Sequence, residues 1–246
     1  MDDWTTSHHR APARRKAESW MFLLEAARDL RTTGAIAPSS KALARLLTDP
    51  AGEYGARPLN VLEAGAGTGS VTRTLLPRLS PGSSLDIVEA NSRFASQLRR
   101  LVSSHPLPAD GSERIRVHHA FVEQLDTDRR YDVIVSGLPF TNFTPAHVTT
   151  IMDRYIELLR PGGTLTYFAY RGTRYARALT ATRREARRHR AVEEVLAGYQ
   201  DQYATGCRTV WGNLPPARVW RLRRPADVSA PAAASPVAAV TARPTP

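Results

Sequence analysis

Ten residues constrain this chain more than any others: Val61-Leu62-Glu63-Ala64-Gly65-Ala66-Gly67-Thr68-Gly69-Ser70. An apolar run that reads as a buried strand ends at Glu63. Three glycines, each one residue apart, then turn the chain into a helix that starts near Ser70. Glycine suits such a turn because it tolerates positive φ and lets the backbone approach a neighbour that a Cβ would meet. From here on the pattern alternates. Strands are predicted at Leu59–Glu63, Ser84–Glu89, Arg114–His118, Tyr131–Ser136 and Thr164–Tyr170, with helices at Ser70–Leu79, Asn91–Val102 and Pro145–Leu159 between them. Alternation of this kind implies an α/β fold with a doubly wound, mainly parallel sheet of the seven-stranded Rossmann-like type. Two further strand-like pieces, Glu193–Tyr199 and Arg208–Leu222, are expected to close the sheet as an antiparallel pair.

The domain reading follows. Residues 1–12 are polar and patternless, and are expected to be disordered. Residues 13–57 form a helical extension. Within it 13–31 is amphipathic, Pro38–Leu47 is a short helix, and 49–58 is a turn-rich loop. Residues 58–224 are the α/β domain. Residues 225–246 hold eight alanines and five prolines, a composition that cannot build a core. No apolar stretch approaches the roughly 20 residues a bilayer span needs, and no apolar segment follows the N-terminal charges as in a secretory signal. A single cysteine, Cys207, excludes a disulfide framework. His118 and His119 are neighbours on a strand and face opposite sides, so no metal site is expected. These features predict a cytoplasmic protein.

The glycine turn differs from the Gly-x-Gly-x-x-Gly of dinucleotide sites, where a helix N-terminus faces a pyrophosphate. It carries an acid two residues before its first glycine. That combination fits a ligand with a cationic centre and no phosphate, S-adenosylmethionine. Glu63 would hold the methionyl ammonium, directly or through water, while Gly65 and Gly67 clear space for the adenosine and Gly69 completes the cofactor-binding turn. Glu89 ends the next strand 89 − 69 = 20 residues after Gly69, near the offset at which a carboxylate meets ribose hydroxyls. Ala90 beside it, Ala120 and Phe121 after the third strand, and Ser136 at the end of the fourth complete the expected cofactor contacts.

Ser136-Gly137-Leu138-Pro139-Phe140 follows the fourth strand, where open α/β sheets place their chemistry. Amino-directed methyltransferases carry Asn-Leu-Pro-Tyr/Phe or Asp-Pro-Pro-Tyr/Phe at this point, and the Gly-Leu-Pro-Phe version resembles the bacterial phospholipid N-methyltransferases. Gly34-Ala35-Ile36-Ala37-Pro38-Ser39-Ser40, Leu159-Arg160-Pro161-Gly162-Gly163 with Tyr167-Phe168-Ala169-Tyr170, and Trp211-Gly212-Asn213-Leu214-Pro215-Pro216-Ala217-Arg218-Val219-Trp220 are similar to that family's other segments. The resemblance implies methylation of phosphatidylethanolamine or its methylated forms, with Ser39 and Ser40 added to the cofactor site. The acceptor site would be Gly137, Leu138, Pro139, Phe140 and Tyr170. Gly137 would leave room for a headgroup, and Phe140 and Tyr170 would face its methylammonium, with core packing the plainer alternative for both rings.

Charge bears on the partner. Lys plus Arg less Asp plus Glu is 34 − 23 = +11, and all but Lys16 and Lys41 of the 34 basic residues are arginines. Eight arginines fall between Arg171 and Arg190 against Glu185 alone. With the helix at 13–31, they point to peripheral attachment at the inner face of an anionic membrane. Sheet-covering is the other reading of that helix. A metabolite methyltransferase is the second functional reading and an RNA adenine methyltransferase the third. Gly137 argues against the last, since a base amine would want a side-chain amide there, and no stable nucleic-acid partner is expected. A binding protein without catalysis fits the intact glycine turn and Glu89 poorly.

Overall fold

The computed structural model describes residues 38–104, 114–170, 183–212 and 216–226. The expected helix at 13–31, the segments 1–12 and 34–37, the Ala/Pro tail from 227, and residues 171–182 of the arginine-rich stretch lie outside the described residues.

The elements run α1 (Pro38–Glu53), β1 (Asn60–Ala64), α2 (Ser70–Leu75), β2 (Ser84–Val88), α3 (Ser92–Ser103), β3 (Ile115–His118) and β4 (Tyr131–Ser136). They continue with α4 (Pro145–Leu158), β5 (Leu159–Tyr170), α5 (Arg183–Tyr203), β6 (Ala204–Val210) and β7 (Ala217–Arg223). Seven strands make one sheet in the order β3-β2-β1-β4-β5-β7-β6, with β7 antiparallel to both of its neighbours. The order reverses between β1 and β4, the switch point at which open parallel sheets leave a crevice for a ligand.

Every residue of β2 and β4 is buried, as strands covered on both faces require. On one face α1 lays Leu43, Leu47 and Ala51 into a core with Val61, Ile87, Val133, Val135 and Phe168, joined by Leu98 from α3. On the other face α4 and α5 bring Val148, Ile151, Met152, Tyr155, Val192 and Leu196 against Leu62, Ile134 and Leu165.

Besides a β5 that begins at Leu159 and an α2 that ends at Leu75, three departures from the pattern-based expectation have clear causes. The first helix does not stop at Leu47 but runs across Pro50 to Glu53. Its extra turn is held from outside: Arg78 and Arg208 reach Asp49, Arg221 reaches Glu53, and Ala51 is buried. Residues 193–199 are not a strand but lie inside α5. Val192 and Leu196, four apart, meet the α4 face, so the helical period governs there. The closing antiparallel pair exists, but 208–222 divides around a turn into β6 and β7.

Candidate functional site

The glycine turn links the carboxyl end of β1 to α2. All three glycines have positive φ, at 72°, 54° and 81° for Gly65, Gly67 and Gly69, yet each is small for a different reason. A Cβ on Gly65 would lie 2.4 Å from the Leu138 side chain of the loop after β4. One on Gly69 would lie 2.8 Å from Leu101 on α3. One on Gly67 would meet nothing within 4 Å. Only Gly67 therefore opens directly onto free space; the absent side chains at the other two admit protein rather than ligand.

Glu89, just beyond β2, fixes this turn. One carboxylate oxygen accepts from Gly67 N–H and the other from Asn91 N–H, both at 2.8 Å, and the residue is only 7% exposed. Burial pushes its carboxyl up, while the N–H groups of Asn91, Gly67 and Ala90, and His119, pull it back. His119 also donates to the Ala90 carbonyl at 3.0 Å, tying the strand ends of β2 and β3 together. Ala120 packs on the α4–α5 core and Phe121 is half-buried beside it.

Glu63 is 0% exposed, and neither of its carboxylate oxygens makes a hydrogen bond. Burial lifts its carboxyl to about 7; the hydroxyl and N–H of Thr72 on α2, near it but outside hydrogen-bond geometry, pull it down, and Glu89 adds a repulsion. The contrast with Asp86, on the opposite face of the sheet, is direct. Burial pushes that carboxyl up too, but His118 at 2.8 Å, Tyr131 at 2.9 Å and Arg129 hold it below the usual range.

The loop after β4 is built tightly against the turn. Gly137 N–H donates to the Ala64 carbonyl at 2.8 Å, and a Cβ on Gly137 would stand 2.7 Å from the Gly65 carbonyl oxygen. The missing side chain at 137 thus makes way for backbone, not for the headgroup that the sequence reading placed there. Ser136 is fully buried; its hydroxyl accepts from Tyr155 Oη at 3.0 Å and from Leu138 N–H at 3.4 Å. Phe140 is 2% exposed and packs edge-on against Tyr167 at 5.4 Å and Phe143 at 6.5 Å between ring centroids. Tyr170 is half-buried on the other face, against Phe168 at 5.2 Å. The two rings expected to meet one methylammonium are thus separated by the sheet, and core packing describes Phe140. Pro139 leads into the short 3₁₀ turn Phe140–Asn142. Ser39 and Ser40 fall in the first turn of α1.

Three neighbours escaped the sequence reading: Thr72 beneath the turn, Asn91 as the second donor to Glu89, and Tyr155 as the anchor of Ser136. Tyr155 had a signal, a phenol within an apolar helical stripe, since a buried hydroxyl needs a partner. Among the described residues no three His, Cys, Asp or Glu cluster as a metal site, and no helix is long and apolar enough to cross a membrane.

Comparison with known proteins places this fold among methyltransferase structures. Residues 61–163 match the family model described as a methyltransferase domain. Over 141 residues the chain is 26% identical to a malonyl-[acyl-carrier protein] O-methyltransferase of Priestia megaterium, covering 57% of this chain and 47% of that one. Over 111 residues it is 34% identical to a tRNA1(Val) (adenine(37)-N6)-methyltransferase of Cronobacter sakazakii, covering 44% of each. The chain thus spans about half the length of these curated relatives. Among solved structures, a Burkholderia thailandensis 1,6-didemethyltoxoflavin-N1-methyltransferase, bound to S-adenosylhomocysteine, superposes with a TM-score of 0.60 at 18% identity, over 90% of this chain and 93% of its own. A Bacillus cereus O-methyltransferase gives 0.54 at 18% identity, over 83% and 91%. Glycine turn, Glu63, Glu89 and the loop after β4 all fall within the span that matches the methyltransferase-domain model.

Proposed function

We propose that this protein transfers a methyl group from S-adenosylmethionine to the amine of an aminophospholipid, phosphatidylethanolamine or its methylated forms, at an anionic membrane surface. The observation that carries the cofactor reading is Glu63: a carboxylate buried without a partner beneath a turn that opens to free space at Gly67. Leaving a buried acid unanswered costs stability, and a cationic ligand answers it. Glu89 has one lone pair of each oxygen held by backbone N–H, which orients the carboxylate and leaves capacity for ribose hydroxyls. The bound cofactor supplies an electrophilic methyl on a sulfonium.

The chain's own part in the reaction is alignment. The carbonyls of Gly137 and Leu138 accept from the substrate amine, whose proton is shed more readily beside a cation in a desolvated site. Tyr155 and Ser136 hold Leu138 in place from behind. Phe140 braces that loop through Tyr167 and Phe143, and Tyr170 stays half-buried at the carboxyl end of β5. Support for the lipid acceptor comes from the Ser136–Phe140 stretch and from arginine. Arg184, Arg187 and Arg190 are exposed on the first turns of α5, which begins at the carboxyl side of the sheet. With the amphipathic segment 13–31, each adds about 1 kcal/mol of attraction near anionic lipid. The same charge, together with the likeness to a tRNA adenine methyltransferase, favours RNA as the second reading.

The deciding assay follows labelled methyl from the cofactor into three acceptors side by side: phosphatidylethanolamine vesicles containing anionic lipid, total tRNA, and a pool of small amines. Label in lipid is expected. Label in tRNA alone would replace the lipid reading, and label in small amines alone would make the protein a metabolite methyltransferase.

A further inference from the structure

Glu63 and Asp86 are both buried carboxylates on adjacent parallel strands, and they differ in company. Asp86 has a histidine, a tyrosine and an arginine within hydrogen-bonding reach. The strand neighbours of Glu63 in register are Ile87 on β2 and Val135 on β4, both apolar. Thr72 faces it from α2, and Glu89 is the titratable group that acts on it, unfavourably. Arg73, the nearest cation on α2, is exposed and donates instead to the Thr68 carbonyl. His119 acts on Glu89 rather than on Glu63, and His118 is engaged with Asp86 on the far face. An acid in such surroundings is better off neutral until a cation arrives.

We propose that Glu63 carries a proton in the empty protein and releases it when the cofactor's methionyl ammonium binds, so that capture of the cofactor is coupled to proton release. This rests on the cofactor reading above. The balance is simple: the carboxylic O–H breaks, its proton passes to solvent, and the carboxylate left behind pairs with an ammonium that keeps all its protons. No bond to the cofactor forms.

The sign of the pH dependence follows. With the carboxyl at about 7 in the empty protein, below that pH a proton must be expelled before the pair forms. Affinity therefore falls about tenfold per pH unit there and levels off above. In the absence of ligand, the folded carboxyl lies above its ordinary value of 4.5. Protonation of Glu63 thus stabilises the fold at low pH, and that stabilisation is lost as pH rises toward 7 and beyond.

The test is titration calorimetry of the full chain with S-adenosylhomocysteine, at pH 6 and pH 8, in buffers that differ in ionisation enthalpy. The expected result is release of close to one proton at pH 6 and almost none at pH 8, with binding roughly tenfold weaker at pH 6. In Glu63→Gln the release disappears and the affinity flattens across this range. Melting of the ligand-free proteins gives a second readout: relative to Glu63→Gln, wild type loses melting temperature between pH 5.5 and pH 8. Binding without proton release at pH 6 overturns the proposal. So does release that persists in Glu63→Gln, or a melting difference that does not change with pH. The wild-type release measurement decides even if the variant fails to fold. No binding at either pH overturns the cofactor reading first, and the proposal with it.

Discussion

At the carboxyl ends of β1 and β2, buried polar groups keep hydrogen-bonding capacity that the protein does not use. At the carboxyl ends of β4 and β5 they are turned inward. Glu63 has no partner, Glu89 has capacity left on both oxygens, and Gly67 borders free volume. Across the switch point, Ser136 is occupied by Tyr155 and Leu138, Gly137 by the Gly65 carbonyl, and Phe140 by Tyr167 and Phe143. The two halves of one crevice thus differ in what their residues answer to. The first half keeps polar capacity unused, and the second is shaped by the rest of the protein.

The sharpest way to break this comparison is Phe140→Ala. If the ring is core, truncation costs about 3–5 kcal/mol, as for other buried phenylalanines. Differential scanning calorimetry should show melting lowered by roughly 10 °C, and cofactor affinity measured below that temperature should stay close to wild type. Unchanged melting with lost turnover would return Phe140 to the acceptor face. A smaller effect, and on binding rather than stability, is expected for Glu89→Gln. Exchanging the charged acceptor for an amide removes about 1.5–3 kcal/mol, so the cofactor's dissociation constant should rise at least tenfold by calorimetry. An unchanged constant would mean that Glu89 serves only to hold Gly67 and Asn91.

The smallest effect belongs to Tyr155→Phe. Burial holds that phenol protonated, so it is a donor to Ser136, and removing it costs about 1 kcal/mol. Turnover should fall several-fold with cofactor affinity unchanged, because only the loop after β4 loses its anchor. Equal loss of both would show that the two halves of the crevice are not separable.

The same asymmetry explains what could be read from the chain alone. The strands, the sheet type, the glycine turn and the place of Glu89 at a strand end were legible because each is local: an apolar run, a φ requirement, a carboxylate at a strand end. The acceptor side was not. Whether Phe140 faces a pocket or Tyr167 depends on where β5 lies, and Tyr170 three residues beyond Tyr167 falls on the other face only because strand residues alternate. The absence of a side chain at Gly137 looked the same in sequence whether ligand or carbonyl fills the space. Residues 193–199 misread as a strand because their helical face was recognisable only opposite α4.

The contact between Gly137 and the Gly65 carbonyl carries one more implication. On the function proposed above, the donor sits on the turn after β1 and the acceptor at the loop after β4, and these strands are hydrogen-bonded neighbours in register from Val61 with Val133 to Ala64 with Ser136. Adjacent strands keep a spacing of about 4.8 Å that side chains hardly alter. The gauge between the two reacting partners is therefore set by peptide groups, which are the same in every sequence. Such a machine can be refitted for a new acceptor by exchanging the loops and helices that approach from outside, while the distance over which the methyl travels stays as the sheet made it.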